Sequence, residues 1–368
     1  MRRDLFVFAG QSNMMGAPVY TPRHSVSATQ SYEYKHKPRR LGASAGAFVP
    51  VGYPVGEFSY VDPAAAYAPD MVNERGESLL SNYRNTTYFC PSMSNLQSEE
   101  EKTTFPFADF SEADARPGAT LAPFVAEAWE KAGQACAYAH IAKGGVPLVY
   151  YFTDDMAREY GERIREWNRT HGTDYNPDIP ASHRMPGAAD YFFEKCADFF
   201  ADAKAAFPDD DLASRCFFWL QGESEAGRSA AEYEIRLEVL WEAVKKAGFT
   251  HFFCLRVDFF GNPGIDQVML AQERFVAAHE DAYMLTRAAS YFPYPGRDEQ
   301  DWFCTPPGEE YQLCRDSFFG FNNNHINEKG FLLLAERSAE NMKRILLRGE
   351  MPILEEENIR TLRDRIYD

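Results

Sequence analysis

The chain predicts an α/β fold in which a mostly parallel sheet is covered on both faces by helices. Two observations carry this reading. Short apolar runs alternate along the chain with longer segments whose apolar residues recur every three or four positions, the order of strand, helix, strand. Two of the apolar runs break at once into polar turns, Gly10-Gln11-Ser12-Asn13 and Gln221-Gly222-Glu223. Open α/β sheets carry their chemistry at such strand ends.

Taken in order, the first strand spans 4 to 9, where Leu5 to Ala9 form an unbroken apolar run. A helix over 121 to 134 leads to a strand at 136 to 142. Helices over 187 to 206, 229 to 247 and 265 to 279 then separate strands at 215 to 221, 250 to 257 and 282 to 287. Helical spacing returns over 328 to 347 and again over 354 to 366. The last of these follows Met351-Pro352 and carries Leu354, Ile359, Leu362 and Ile366 among charges. Such a face packs either on its own domain or on another subunit, which leaves a homo-oligomer open.

Residues 17 to 120 are rich in Pro, Gly, Ser, Tyr and acidic side chains and show little periodicity. A structureless loop of that length is uncommon in a compact domain, so short elements are expected within it, draped over the active-site edge. Irregular stretches at 150 to 186 and 289 to 321 are expected to complete the walls of a substrate site. The reading is a single domain over 1 to 368 with these three insertions, since α/β folds of this length are often one unit. There is ample chain to bury a core.

Charge excludes some partners. A formal net charge of −17 argues against nucleic acid and anionic membrane, both of which reward clustered Lys and Arg. No apolar run approaches the ~20 residues of a membrane span. Met1-Arg2-Arg3-Asp4 runs directly into the first strand and leaves no room for a signal peptide's apolar region, so a cytoplasmic location is expected. The cysteines are seven in number and widely spaced, with Cys136, Cys216 and Cys254 in apolar runs. Reduced core thiols fit this pattern better than a disulfide framework.

The chemistry sits in the polar turns. A strand that delivers Ser12 into a tight turn presents a hydroxyl and its own N–H at the rim of a sheet, where a nucleophile and half of an oxyanion hole belong. Gln221 and Glu223 follow a second strand, and His325 lies in the loop Asn322-Asn323-Asn324-His325-Ile326-Asn327, just ahead of a helix. A serine, an amide donor, a carboxylate and a histidine are the parts of acyl transfer. Gly42-Ala43-Ser44-Ala45-Gly46 offers a rival nucleophile elbow, but that elbow needs a buried apolar strand before it, and Lys35-His36-Lys37-Pro38-Arg39-Arg40 is not one. None of the eight histidines has a His-Glu-x-x-His or Cys-rich spacing, so no metal site is predicted.

Gly10-Gln11-Ser12-Asn13, Ala142-Lys143-Gly144-Gly145-Val146-Pro147-Leu148, Trp219-Leu220-Gln221-Gly222-Glu223 and His325-Ile326-Asn327-Glu328-Lys329-Gly330, in that order, resemble the motif blocks of the SGNH hydrolases. They look like those of the sialate O-acetylesterase-like branch, which includes carbohydrate esterase family six. The resemblance implies a flavodoxin-like three-layer sandwich, Ser12 as nucleophile and His325 as base. It implies oxyanion donors from the Ser12 N–H, a glycine N–H at Gly144 or Gly145 and the Gln221 side chain, with Gln11 and Asn13 supporting the serine turn. Many SGNH hydrolases place an aspartate three residues before the histidine, and this chain has Asn322 there. An amide cannot stabilise an imidazolium as a carboxylate does, so either Glu223 orients His325 or a Ser-His dyad operates.

The implied activity is a carbohydrate O-acetylesterase, with an acetylated carbohydrate as partner and no cofactor. Tyr150, Tyr151 and Phe152, just past the glycine block, are the expected aromatic wall for a sugar ring. Two alternatives remain at this level: an esterase for another short acyl ester, such as a lipid or peptidoglycan acetyl group, and a carbohydrate-binding protein that keeps the fold without catalysis.

Overall fold

The computed structural model describes residues 1–15, 17–18, 26–35, 47–53, 118–142, 145–180, 188–257, 264–292, 326 and 328–355. Its centre is a seven-stranded sheet built from β1 (Arg2–Gly10), β3 (Val26–Lys35), β4 (Ala47–Tyr53), β6 (Ala135–His140), β7 (Asp211–Leu220), β8 (His251–Leu255) and β9 (Ala282–Thr286). The spatial order is β4-β3-β6-β1-β7-β8-β9, and every pairing is parallel except the edge pair of β3 with β4. All five strands read from the sequence are present. The flavodoxin-like expectation holds in the strand order: β1, β6, β7, β8 and β9, counted along the chain, stand second, first, third, fourth and fifth from the β6 side.

The side-chain alternation of β1 divides the core between the two faces. Leu5, Val7 and Ala9 point to one face with Ala137, Ala139, Phe217, Trp219, Phe252 and Cys254. Helices α3 (Asp154–His171), α4 (Ala188–Ala206), α5 (Ala230–Lys246) and α6 (Ile265–Ala278) cover them. Phe6 and Phe8 point to the other face with Tyr138, Cys216 and Phe218, beneath α2 (Leu121–Lys131) and α7 (Glu328–Lys343). Phe8 stacks on Phe218 with ring centroids 4.4 Å apart. Both faces of β1 are thus dry, and Leu5 to Ala9 have no solvent exposure.

Two stretches read as irregular contain regular structure. The segment 150 to 186 holds the α3 helix, 18 residues long. Only Met156, Tyr160, Gly161 and Ile164 of it are buried, and the remaining charged side chains face water. A narrow apolar stripe at intervals of four, set among nine Asp, Glu and Arg residues, hid the helix from a reading based on apolar content. Thr153 caps its first turn by accepting the Met156 N–H. In the long first insertion, β3 and β4 extend the sheet beyond β6 rather than draping over its edge. The short antiparallel pair β2 (Ala17–Pro18) and β5 (Gly118–Ala119) pins the two ends of that insertion together.

The helix expected over 354 to 366 lies outside the described residues apart from its first two positions, which are not helical. Among the described residues no helix is long and apolar enough to cross a membrane. Cys136, Cys196, Cys216 and Cys254 are free, buried thiols, and burial pushes the Cys136 thiol up to about 12.

Candidate active site

A doubly wound sheet leaves a crevice outside the carboxyl ends of its strands where the strand order reverses. Here the reversal falls between β1 and β7, and the two polar turns leave from those strands. Register brings them together, since Gly10 pairs with Leu220. The Gln11 N–H donates to the Leu220 carbonyl at 3.2 Å as the last bond of the ladder. Gly10 takes φ 147°, and a Cβ on it would stand 2.0 Å from the Leu220 carbonyl oxygen, so no other residue fits where the strand turns into the serine.

Ser12 opens α1 (Ser12–Met15), a single helical turn. Its side chain is half-buried, and among the described residues no group bonds its hydroxyl. The turn is braced on three sides. Tyr151, in a 3-10 turn spanning Leu148–Tyr151, donates its hydroxyl to the Gly10 carbonyl at 2.6 Å and accepts the Gly10 N–H at 3.2 Å. His140, at the end of β6, contacts the Met14 carbonyl through Nε2 at 2.7 Å. A carbonyl cannot donate, so Nε2 carries the proton. The third brace is Asn13, whose Nδ2 donates to Glu223 Oε1 at 2.7 Å and whose Oδ1 accepts the Ile326 N–H at 2.9 Å.

The turn after β7 is equally specified. Gly222 takes φ 150°, and a Cβ there would lie 2.7 Å from Val268 Cγ1. Glu223 and Glu225 bound the 3-10 turn Glu223–Glu225 and are 8% and 0% exposed. Glu223 Oε2 is buried and has no hydrogen-bond partner among the described residues. Burial pushes the Glu223 carboxyl above its ordinary range, opposed by the Asn13 hydrogen bond.

Gln221 is fully buried. Its Nε2 donates to Gln11 Oε1 at 3.2 Å and to the Val146 carbonyl at 3.3 Å, and its Oε1 accepts the Tyr233 hydroxyl at 2.8 Å. Because Val146 can only accept, the orientation of the amide is fixed. Both amide hydrogens are therefore committed, and the Gln221 side chain ties the glycine block to the serine turn instead of presenting the free oxyanion donor expected of it. Gln11 Oε1 also accepts the Ser224 N–H at 3.2 Å, so Gln11 ties the two turns directly.

The aromatic wall also needs correction. Tyr151 and Phe152 are 2% and 3% exposed and belong to the core, and the Tyr151 hydroxyl is spent on Gly10. A ring so placed cannot stack on a sugar. Tyr150 is half-buried, and burial raises its hydroxyl pKa.

Of the other predicted residues, Gly145 is exposed at the start of the described glycine segment. Gly144, Asn322, His325 and the rival Ser44 lie outside the described residues. Ile326, next in sequence to His325, is described, and Asn13 holds its N–H.

Sequence reasoning missed Tyr151 as a clamp, His140 as a brace and Glu225 as a hub. Glu225 Oε1 accepts the Leu148 N–H at 2.6 Å, while Oε2 accepts Arg236 Nη1 at 2.7 Å and also Arg228 Nε. The signal for Glu225 was present as an acid and an arginine three residues apart just past the Gln-Gly-Glu turn. Among the described residues no cluster of three or more His, Cys, Asp or Glu side chains is arranged to hold a metal ion.

No protein family and no curated protein matches the chain by sequence. Among solved structures, the chain is similar to a carbohydrate acetylesterase from Xanthomonas citri, with 11% identity and a TM-score of 0.43. That match covers 94% of this chain and 57% of the other, so this chain spans little more than half the length of that enzyme. NanS matches at 12% identity and a TM-score of 0.45, over 94% of this chain and 98% of NanS. A protein from Arabidopsis thaliana matches at 11% identity and a TM-score of 0.40, over 92% of this chain and 97% of that one.

Proposed function

We propose that the chain is a serine esterase that removes O-acetyl groups from a carbohydrate, an acetylated xylan-type oligosaccharide or a sialic acid, through an acyl-enzyme. One observation carries the reading. At the reversal of strand order, Asn13 joins the turn of Ser12 to the Glu223 carboxylate and to the backbone next to His325.

Ser12 Oγ attacks the acetyl carbonyl carbon as His325 takes the hydroxyl proton. Glu223 orients the imidazole and balances its charge, because Asn322 cannot. The N–H groups of Ser12 and of Gly144 or Gly145 hold the oxyanion, with Gln221 setting the distance between them. The sugar oxygen leaves with the proton from His325. Water, deprotonated by the same histidine, then attacks the acetyl-serine and releases acetate.

The test is acetate release from acetylated xylans, sialic acids and peptidoglycan fragments, alongside aryl acetates and butyrates. Turnover of acetylated sugars with a steep fall from acetyl to butyryl supports the reading. A preference for longer acyl chains moves the chain to the lipid esterases, and silence on all esters removes the proposal.

A further inference from the structure

The Gln-Gly-Glu-Ser-Glu turn carries two buried acids, and the proposed mechanism uses only Glu223. Glu225 shows a different set of partners. It is fully buried, both of its oxygens are occupied, and none of its bonds goes to the serine turn. Its neighbours are Arg236, itself 4% exposed on α5, Arg228 three residues on, and the backbone N–H of Leu148.

Leu148 matters because of what precedes it. The ladder between β1 and β6 ends where the Ile141 N–H donates to the Phe8 carbonyl at 2.8 Å. From Gly145 onward the chain has no strand partner, yet this is the stretch whose N–H must face the oxyanion. Among the described residues, three contacts hold it: Val146 through Gln221, Leu148 through Glu225, and Tyr151 on Gly10. Only the second is charge-assisted, and at 2.6 Å it is as short as the Tyr151 bond. The two arginines fix the carboxylate in turn, with Arg236 anchoring it to a helix of the core.

A buried carboxylate with two arginines is a costly way to gain stability, since apolar side chains of similar volume often serve as well or better. What the charges supply is position. We propose that Glu225 is a positioning residue, which sets the N–H of Gly145 at its distance from Ser12; this rests on the esterase reading above. The two acids of one turn then divide the labour, Glu223 toward the histidine and Glu225 toward the oxyanion.

The test compares wild type, Glu225→Gln and the double variant E225L/R236M on an aryl acetate, with hydrogen exchange read on the same proteins. Glutamine must turn its NH2 toward either Leu148 N–H or the arginines, so one contact becomes donor against donor. The double variant removes both charges and the acceptor at similar volume, and it serves if the single one does not fold. In either variant the Leu148 to Tyr151 amides should exchange at least about ten-fold faster while α5 stays protected. The kcat should fall on the order of a hundred-fold with KM nearly constant, as expected of an oxyanion donor displaced by about 1 Å.

The midpoint of the kcat/KM pH profile should not move, because the histidine pair is untouched. Unchanged exchange, an unchanged kcat in a folded variant, a change in KM alone, or a shifted pH midpoint would each overturn the proposal. If the wild type itself neither releases acetate nor reacts at Ser12, the esterase reading fails first and this one with it. An active wild type beside an unaffected variant removes Glu225 alone.

Discussion

Asn13 donates its side-chain N–H to Glu223 at 2.7 Å, directly beside the candidate nucleophile. The same amide accepts the Ile326 N–H at 2.9 Å, so both ends of one short side chain are used to fasten three segments that are far apart in sequence. Asparagine is suited to this because it offers a donor and an acceptor on one rigid plane. An aspartate there would set a carboxylate against Glu223, which is already held in a desolvated site.

Ser12→Ala should abolish turnover and labelling by a fluorophosphonate, while Ser44→Ala keeps both. Mass spectrometry of the labelled peptide reads this directly. Label that persists in Ser12→Ala and disappears in Ser44→Ala would reassign the nucleophile.

Glu223→Gln should cut kcat on the order of a thousand-fold, and Asn322→Ala much less. The same substitution should stabilise the fold at neutral pH. Burial raises the Glu223 carboxyl in the folded state above its ordinary value of 4.5. Below that value the group is protonated folded or unfolded and costs nothing extra. As pH rises toward the raised folded pKa, the fold must accept a charge it disfavours and loses stability. The variant's melting temperature should therefore exceed wild type near about pH 8, with the gap closing toward about pH 4. A gap that widens on acidification contradicts a carboxyl raised by burial.

Gln221→Ala should lower kcat by roughly ten-fold to a thousand-fold and also destabilise the protein. The substitution strands the Val146 carbonyl, a buried polar group worth about 1 to 3 kcal/mol when unpaired, while the Tyr233 hydroxyl keeps the Gln221 main-chain carbonyl at 3.1 Å. Urea unfolding and kcat measured on one preparation decide. A loss of kcat at unchanged stability would make Gln221 a pure oxyanion donor after all.

Tyr151→Phe removes one oxygen and keeps the ring in the core. It takes the hydroxyl partner away from the Gly10 N–H and carbonyl, and about 1 to 3 kcal/mol of stability should go with it. Since Gly10 sets the approach of Ser12, kcat should fall together with stability. A variant as active and as stable as wild type would show that the β7 ladder alone holds the turn.

The strands were legible because buried parallel strands must be apolar on both faces, and Leu5 to Ala9, Phe217 to Leu220 and Phe252 to Leu255 are. The α3 helix was not, because Met156, Tyr160 and Ile164 are isolated among charges and the helix buries so little. At the site, the residue types pointed to Ser12 and Glu223 without showing what joins them. That link depends on the register of β1 against β7, which pairs Gly10 with Leu220 across more than half the chain. The same distance explains Tyr151 and Phe152. Their rings suited a sugar wall, but only the packed structure shows Tyr151 edge-on to Trp219 with centroids 5.2 Å apart and sealed from solvent.

The place of β1 in the sheet has a consequence for how the protein is made. Arg3 stands in register with Ala135 on one side and Leu212 on the other, so β1 leaves the ribosome before both of the strands that flank it in the finished sheet. At ordinary synthesis rates of about 5–20 residues per second, its apolar run waits on the order of ten seconds or more before the second neighbour exists. During that interval Leu5 to Ala9 form an unpaired, sticky edge, the kind of segment that chaperones shield and that aggregates when expression outruns them. The serine turn acquires its far wall only when β7 docks. An abandoned or truncated nascent chain would therefore carry Ser12 without the turn of Glu223, and under the proposed mechanism it would lack the group that orients the histidine.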